Sequence, residues 1–568
     1  MKKNGLLFLF LALSAGAMVA QGGALEPFKP GEVTVRGELG RRMEITAAHI
    51  MNDIDVDGEF VRHFRVRKEK PEVRDGFTGW GMLLDAIVKA AAHGVGGEKF
   101  RAFKEKWMAE TIATQTPDGN ISIFAGQLGL WDGHEQGYML QGFIRDWEWF
   151  GNRAALEAAR RLADYMIARK VACQAGISPA FACLSQQTGD NRYVDFLRDT
   201  YGIEKDAAAY VAVVPINGLD HVYGYFEWVF SRLVYAGTTG RPVPTLEETG
   251  REAYRRLAGD HMSVTGTVGG QPNIGEYWDD SQIGLQPWGE TCASAYLMRM
   301  TAEWMKTHPS SVYGDLYERV MYNALFGAQS HDGKKLRYFS PFNQPGEWWP
   351  NNGYCCPNNF RRMVFEIPDF VFLRTPDGFA VNLFAPATLK TRGLSVEMST
   401  AYPDDGTVEL KVMSEKPGKM RVRVPRWTGL ADAGSWRVYD YTAGETSVRA
   451  EFPMSIRLVK GRRAQEGRFA LMRGPVVYAV PMGGAYIDCW KFDLSRPMSF
   501  CDGCVEASMI DDHYRRPRYD VKLVPFAAEN RKRVYFGTLG EGGPAPVDDE
   551  FYGCSVFLDG NRAEANRE

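Results

Sequence analysis

The sequence predicts a multidomain α + β protein in which an (α/α)6 toroid, a barrel of paired helices, is followed by two β-sandwich domains. Its 568 residues exceed the roughly 250–300 that one hydrophobic core can serve. Apolar residues recur every three or four positions up to about residue 372 and alternate with polar residues beyond it, which predicts helices and then strands. We assign residues 25–374 to the toroid, 375–465 to the first sandwich and 466–568 to the second.

The first 24 residues have the pattern of a signal peptide. Two lysines precede an apolar run from Leu6 to Ala20, and small residues suit cleavage after Ala20 or Ala24. The run is shorter than the ~20 residues that span a bilayer. We therefore expect cleavage near one of these alanines, an exported protein in the periplasm or outside the cell, and no stable membrane insertion afterwards.

About a dozen amphipathic segments, separated by Gly-rich turns, fit the helical region, and five of them illustrate the pattern. They are GMLLDAIVKAAAHG (81–94), EQGYMLQGFIRDWEWFG (135–151), ALEAARRLADYMIARK (155–170), HVYGYFEWVFSRLVYAGTTG (221–240) and TCASAYLMRMTAEWMKTH (291–308). Their apolar spacing gives each helix one buried face. Helical hairpins repeated around an axis account for such a series, and this is the reason for predicting a toroid.

The strands are predicted from strict alternation. TVELKVM, KMRVRVP, SWRVYDY and SVRAEF alternate apolar and polar residues between turns, as strands of a sandwich do. A second β-rich block begins at GRFALMRGPVVYAVP (467–481). The formal net charge of −3 provides no basic surface, which argues against nucleic acid as a partner.

The stretch NGYCCPNNFRR (352–362) contains adjacent cysteines, Cys355 and Cys356. A disulfide between neighbours requires a distorted peptide, so these thiols need other partners. Glu290 and Cys292 stand at the start of a predicted helix. Together the four residues offer one oxygen and three sulfurs, a suitable set for tetrahedral Zn²⁺. The alternative is that Cys292 is a small core residue and the pair joins separate disulfides.

Several sequence blocks resemble a known family. GETCAS, LYERVMYNALFG with DGKKLRYFSPF, and CCPNNFRR match, in order, the conserved blocks of glycoside hydrolase family 127, the β-L-arabinofuranosidase type, and its sister family 146. The likeness extends from about residue 70 to 530. It implies a retaining exo-glycosidase with a zinc cofactor that acts on oligosaccharides or polysaccharides of plant or algal cell walls.

The resemblance also implies residue roles. By the family pattern Cys355 is the nucleophile, and Glu290, Cys292 and Cys356 complete its zinc shell. Glu276 in NIGEYWDD matches the acid/base residue. A free thiol has a pKa near 8.5, and a nearby cation converts it to a thiolate at neutral pH. A retaining enzyme places its attacking atom and its acid on opposite sides of the bond.

Four further residues are candidates for binding the sugar. His134 in LWDGHEQGYML and His221 in GLDHVYGYFEW match substrate-binding positions of the family, and Tyr338 in LRYFSPF matches a tyrosine near its nucleophile. Trp80 is added because a tryptophan can stack on a sugar ring, although the aromatic core is the commoner place for one.

Two departures from the family pattern concern the sugar itself. Gln174 or a neighbour stands where relatives commonly carry a histidine, and the segment before Cys355 is short. An alternative function is therefore hydrolysis of another sugar such as 3,6-anhydrogalactose. Two further alternatives rest on the fold: carbohydrate binding without catalysis, or a polysaccharide lyase. Cys501 and Cys504 suggest a disulfide across a turn or a reduced pair, and no function is assigned to Cys173, Cys183, Cys489 and Cys554.

Overall fold

A computed structural model describes most of the chain. The described residues are 25–69, 79–125, 131–171, 176–205, 222–257, 261–269, 289–342, 346–481, 490–511, 516–537 and 545–551. In this part of the chain no helix is both long and apolar enough to cross a membrane.

The described α-helices follow one another in pairs from residue 37 to residue 364. Their bounds are α1 Gly37–Asn52, α2 Arg62–Val66, α3 Trp80–Ala92, α4 Gly97–Ala113, α5 Asp132–Phe150, α6 Arg153–Ala168, α7 Ile177–Thr188, α8 Arg192–Phe196, α9 Val222–Thr239, α10 Leu246–Arg256, α11 Thr291–Thr307, α12 Ser311–Arg319 and α13 Cys355–Val364. Each of the five predicted helical segments is confirmed, with ends within three residues of the predicted ones.

Six of these helices close into a ring. Helix α3 packs against α5, α5 against α7, α7 against α9, α9 against α11, α11 against α13, and α13 returns to α3. Nearly every residue of α3 and α11 is buried, as expected for helices that are surrounded on all sides. Helices such as α4 and α6 pack outside the ring. The predicted toroid is therefore confirmed.

The N-terminal ends of the ring helices meet at one end of the toroid. Gly79, just before α3, lies against Tyr354, just before α13. Gly137 of α5 lies against Ile177, the first residue of α7. The partial positive charges of these helix ends therefore face one region and favour negatively charged groups there.

Nineteen described strands form three sheets. Their bounds are β1 Glu26–Pro27, β2 Val33–Val35, β3 Phe372–Thr375, β4 Gly378–Val381, β5 Ala387–Thr391, β6 Leu394–Thr400, β7 Thr407–Ser414, β8 Gly418–Arg423, β9 Trp436–Tyr441, β10 Gly444–Glu451, β11 Ile456–Lys460, β12 Phe469–Arg473, β13 Val476–Pro481, β14 Trp490–Phe492, β15 Ser499–Cys501, β16 Cys504–Asp511, β17 Arg516–Pro525, β18 Arg531–Arg533 and β19 Tyr535–Phe536. The strand orders are β1-β3-β4-β8-β9, β10-β7-β6-β5-β2 and β11-β12-β13-β17-β16-β14, with β15, β18 and β19 attached to the third sheet.

The first two sheets contribute to one hydrophobic core. Strand β7 alternates buried and exposed residues, with Val408, Leu410 and Val412 turned inward. This is the alternation from which the sandwich was predicted. The third sheet corresponds to the region predicted as a second sandwich.

Two of the predicted domain limits are wrong. Residues 26–35 were assigned to the toroid, but they supply β1 and β2, which are edge strands of the two sandwich sheets and pair with β3 and β5. The boundary at residue 465 is also too late, because β11 already pairs with β12 in the third sheet. Both errors have one physical reason: a strand of two to five residues joins a sheet through partners far away in sequence, which local periodicity does not indicate.

Candidate functional site

Four buried side chains meet where the helix N-termini converge. The ligand atoms of Glu290, Cys292, Cys355 and Cys356 all lie within 4.8 Å of one another. One short distance joins Cys356 Sγ to Glu290 Oε1, at 3.6 Å. All three cysteines are free thiols. The prediction that these four residues cluster is confirmed, and the alternative that the vicinal cysteines join separate disulfides does not hold in the structure.

The segment that carries Glu290 is held as a short extended strand. Glu290 pairs with Phe339 in an antiparallel bridge, and the N–H of Thr291 donates to the carbonyl of Tyr338 at 3.0 Å. Helix α11 then begins at Thr291. Glu290 therefore lies in extended backbone directly before the helix, and Cys292 lies in its first turn, so the carboxylate and the thiol reach the same point.

The vicinal cysteines open helix α13. Tyr354, just before them, has a φ of 72°, which is an uncommon conformation for a residue with a side chain. Gly79 lies directly beside this turn, with a φ of 78°; a Cβ there would approach Asn358 Nδ2 to 2.5 Å and the carbonyl oxygen of Tyr354 to 2.7 Å. The turn therefore depends on a glycine at the start of α3.

The electrostatics of the cluster favour a cation. Burial first, and then the neighbouring thiols, raise the pKa of Cys292 and of Cys356 well above the usual range. Without a positive charge these thiols stay protonated, whereas a bound divalent ion reverses that balance. Zn–S bonds of ~2.3 Å in a tetrahedron place neighbouring sulfurs about 3.8 Å apart. The donor set and its spacing therefore fit zinc.

The three sulfurs have different surroundings. Cys292 Sγ accepts from Asn359 Nδ2 at 3.2 Å, and Cys356 Sγ accepts from the backbone N–H of Cys292 at 3.3 Å. Both residues are fully buried, whereas Cys355 is 6% exposed. The Cys355 sulfur instead contacts the hydroxyl of Tyr338 at 3.2 Å.

Aromatic residues surround the Cys355 side of the cluster. The ring of Tyr338 lies 4.6 Å from that of Trp349, which in turn lies 5.6 Å from Tyr354. Trp349 is only partly buried, so it presents an aromatic surface beside the sulfur. Tyr338 therefore lies next to the predicted nucleophile.

His134 lies in the first turn of α5 and contacts helix α9, which is separated from α5 in the ring by α7. Its Nε2 lies 3.2 Å from the hydroxyl of Tyr223, and its ring packs edge-on against Tyr138, with centroids 4.9 Å apart. Burial first, and then the neighbouring thiols of Cys355 and Cys292, raise the pKa of Tyr223 well above its usual range. Sequence reasoning missed Tyr223, although it stands two residues after the predicted His221.

Trp80 does not lie where a sugar could reach it, and this prediction is wrong. The side chain is fully buried, its Nε1 donates to Thr111 Oγ1 at 3.0 Å, and its ring packs against Trp107. Trp80 thus points from the ring towards the outer helix α4. One buried helix face cannot be told from another by spacing alone.

Two predicted site residues, Glu276 and His221, lie outside the described residues, so their predicted roles are unaffected by the geometry above. Sequence reasoning also missed Glu135. Its carboxylate accepts from the backbone N–H groups of Gly79 and Gly81, and so satisfies the exposed donors at the start of α3.

The chain matches models of a known family. A model described as the β-L-arabinofuranosidase GH127 catalytic domain matches residues 244–369, a range that contains all four clustered residues. A second, the GH127 middle domain, matches residues 378–452, which lie in the first sandwich.

A curated protein and solved structures resemble the chain as well. The chain is 24% identical over 448 residues to a non-reducing end β-L-arabinofuranosidase of Bifidobacterium longum, with 65% of this chain and 68% of that protein covered. A solved GH127 β-arabinofuranosidase has a TM-score of 0.78 at 18% identity, covering 91% of this chain and 98% of the other. A GH127 β-L-arabinofuranosidase from Geobacillus stearothermophilus has a TM-score of 0.72 at 19% identity, covering 89% and 100%. At 18% and 19% identity, these two structural matches show that the chain shares their fold.

Proposed function

Because the chain belongs to glycoside hydrolase family 127, we propose that it is a retaining exo-glycosidase of the β-L-arabinofuranosidase type. The proposed substrates are oligosaccharides of plant or algal cell walls with a non-reducing terminal β-L-arabinofuranose. Family membership itself makes the chain a glycosidase. The sugar, the metal and the residue roles below constitute the proposal.

Glu290, Cys292, Cys355 and Cys356 would hold the metal ion. Their ligand atoms lie within 4.8 Å of one another, and three sulfurs with one oxygen suit Zn²⁺ better than a hard cation such as Mg²⁺. When bound, zinc would supply positive charge that keeps the thiols ionised and makes a departing thiolate more stable.

One observation carries the assignment of Cys355 as the nucleophile. Its sulfur contacts a hydroxyl, and Cys355 retains exposed surface, whereas Cys292 and Cys356 are fully buried and accept from N–H groups. Hydrogen bonds to a thiolate stabilise its charge and reduce its tendency to attack. Cys355 is therefore the most exposed of the three cysteines, and the hydroxyl beside its sulfur can rotate away during attack.

The proposed reaction has two steps. Cys355 Sγ attacks the anomeric carbon while Glu276 donates a proton to the departing oxygen, which leaves a glycosyl-cysteine. Glu276 then accepts a proton from a water molecule that attacks the same carbon, and the C–S bond breaks. In this proposal Tyr338 orients the Cys355 sulfur, and His134 binds a sugar hydroxyl, as the resemblance to the family implies.

Export belongs to the proposal as well. The signal-like residues 1–24 lie outside the described residues, and the pattern of lysines followed by an apolar run is its only support. A protein secreted in this way would meet polymeric cell-wall substrates directly.

The experiment is hydrolysis of an aryl β-L-arabinofuranoside and of a panel of cell-wall glycans, with zinc measured in the same sample. We expect one zinc per chain, turnover of the arabinofuranoside, and loss of turnover in Cys355→Ser and Glu276→Gln without loss of folding. In Glu276→Gln the slow second step should leave a glycosyl-cysteine detectable by mass spectrometry on the peptide that contains Cys355.

The matched control is Cys501→Ser, which alters an exposed cysteine of the third sheet and should keep full turnover. Full turnover by Cys355→Ser, or zinc-free protein with full activity, would overturn the mechanism. Cleavage of another glycan in place of the arabinofuranoside would overturn the sugar assignment alone.

A further inference from the structure

A cluster of charged side chains, most of them buried, lies inside the ring beside Glu290, Cys292, Cys355 and Cys356. It consists of Asp85, Lys89, Arg145, Arg299, Arg362 and Glu366, and is called the buried charge cluster below. Arg362 Nε donates to Asp85 Oδ2 at 2.6 Å, and Arg299 Nε donates to Glu366 Oε2 at 2.9 Å. Lys89 Nζ contacts both carboxylates.

The buried charge cluster carries excess positive charge. Burial opposes ionisation of Glu366, but Arg299 and Lys89 lower its pKa to about 2. Burial likewise opposes ionisation of Asp85, and its arginine and lysine neighbours hold its pKa well below the usual range. Burial and Arg145 lower the pKa of Lys89 to about 7. Even with Lys89 neutral, the three guanidinium groups of this cluster outnumber its two carboxylates.

Asn359 connects this cluster to the cysteines. Its Oδ1 accepts from Arg299 Nη1 at 3.1 Å and from Arg362 Nη1 at 2.9 Å. Its Nδ2 donates to Cys292 Sγ at 3.2 Å. The residue is fully buried, so water does not compete for these contacts.

The orientation of the Asn359 amide is determined by its partners. A guanidinium donates hydrogen bonds and accepts none, so two of them require the oxygen of the amide. A rotated amide would point its NH2 group at both guanidiniums and its oxygen at the sulfur. The NH2 group must therefore face Cys292, and the two positive charges strengthen it as a donor.

Building on the proposed zinc-dependent function, we propose that Asn359 is a positioning residue that keeps Cys292 as a permanent zinc ligand and withholds it from attack on the sugar. The hydrogen bond stabilises the thiolate of Cys292 and lowers its nucleophilicity. The Asn359 amide is directed at Cys292, whereas the Cys355 sulfur contacts the rotatable hydroxyl of Tyr338. Arg299 and Arg362 act through this amide by orienting and polarising it.

The test is Asn359→Asp in the zinc-loaded enzyme. The aspartate has the same shape and still accepts from Arg299 and Arg362, but it turns an oxygen towards Cys292 Sγ in place of the N–H. We expect zinc affinity, measured by competition with a chelator, to fall about 10–100-fold, as is typical when a partner of a metal ligand is changed. In cobalt-substituted protein, the sulfur-to-cobalt absorption band should move to lower energy.

The matched control is Asn358→Asp on the same helix. Asn358 Oδ1 also accepts from an arginine, Arg361 Nη1, at 2.6 Å, but its Nδ2 donates to the carbonyls of Asn352 and Tyr354. This variant should lower thermal stability and leave the cobalt band in place. A purely structural role for Asn359 would make the two variants behave alike.

A second variant covers the case in which Asn359→Asp does not fold. Arg299→Lys keeps the charge beside Glu366 but lacks the planar fork that reaches both Glu366 and Asn359, so the cobalt band should shift in the same direction by less. Unchanged zinc affinity and an unchanged band in the folded variant would overturn the inference alone. A wild-type protein without zinc would overturn both it and the proposed function.

Discussion

The three clustered cysteines show how neighbouring groups assign different roles to one residue type. Cys292 and Cys356 accept hydrogen bonds from N–H groups that the fold holds in place, whereas Cys355 contacts the hydroxyl of Tyr338. A hydroxyl can donate to a thiolate and rotate away as that sulfur forms a bond. Tyr338 is therefore suited to a sulfur that changes its charge during a reaction.

Tyr338→Phe tests this at the residue scale. The hydroxyl orients the Cys355 sulfur and stabilises it as the departing thiolate of the second step. Hydrogen bonds to charged groups contribute about 1.5–3 kcal/mol, so removing the hydroxyl should slow that step and lower kcat roughly 10–100-fold. The ring contact with Trp349 remains, so folding and zinc content should not change. Steady-state kinetics measures kcat, and metal analysis of the same sample measures the zinc content.

The control for this variant is Tyr201→Phe, which removes a hydroxyl that donates to the carbonyl of Val171 at 2.7 Å. It should keep the wild-type kcat. An unchanged kcat in Tyr338→Phe would show that the contact with Cys355 has no part in turnover.

At the scale of elements, neighbouring ring helices satisfy each other's N-terminal ends. Helices α3 and α7 both follow a glycine, which has no side chain to cap them. Glu135 of α5 accepts from the N–H groups at the start of α3. Glu227 of α9 accepts from the N–H of Gly176 at the start of α7. These caps tie the helices into a ring at the end where the candidate site lies.

The ring also requires close approach of its helices, which Gly81→Ala tests. Alanine is favoured over glycine in a helix by ~1 kcal/mol, but a Cβ at Gly81 would clash with the carbonyl of Glu135 and approach the backbone nitrogen of Met139 to 2.8 Å. Backbone atoms cannot yield easily, and overpacking costs about 1–3 kcal/mol. Gly81→Ala should therefore lower the thermal unfolding midpoint.

Gly237→Ala in α9 is the matched comparison. A Cβ there would meet nothing closer than Glu303 Oε1 at 3.8 Å, so helix propensity should dominate and stabilise the protein by about 0.5–1 kcal/mol. If Gly81→Ala and Gly237→Ala shifted the thermal unfolding midpoint in the same direction, the close-packing explanation would be contradicted.

At the scale of the whole molecule, buried ion pairs join the toroid to its β-domains. Arg423 of the first sandwich contacts Asp315 and Glu318 of the helical region. Arg319 of the toroid contacts Asp549 and Glu550 near the third sheet. Breaking one partner of such a buried pair leaves an uncompensated charge. The β-domains are thus part of the same structural unit as the candidate site.

Glu550→Gln tests this junction through pH. Burial opposes its ionisation, yet Arg319 and Arg457 lower the pKa of Glu550 from 4.5 to about 2. A lowered folded-state pKa contributes stability above the unfolded-state value, on the order of 3 kcal/mol, and this is lost as pH falls towards 2. Glu550→Gln should therefore unfold at a lower temperature than wild type at pH 7, with a difference that shrinks below about pH 4.5.

The control for the junction is Glu409→Gln. Glu409 pairs with Arg449 on the exposed surface of the first sandwich, where an ion pair contributes about 0–1 kcal/mol. The thermal unfolding midpoint of Glu409→Gln should stay close to that of the wild type at every pH. A Glu550→Gln difference that did not vary with pH would contradict the assigned pKa.

The sequence alone determined the elements and the chemistry of the donors. Helix ends and strand ends were predicted to within a few residues, because periods of 3.6 and 2 are properties of neighbouring residues. The Asn152 cap of α6, which accepts from Ala154 and Ala155, is local in the same way. Adjacent cysteines that cannot bridge each other favour a metal site in the same way, from the chemistry of neighbouring residues.

Only the tertiary structure decided relations between distant residues. It placed residues 26–35 in the sandwich sheets, turned Trp80 away from the site, capped α3 with Glu135 and linked Asn359 to Cys292. The physical reason is that each of these contacts joins segments tens to hundreds of residues apart. Their geometry depends on how the whole ring closes, and no local pattern in the chain encodes that closure.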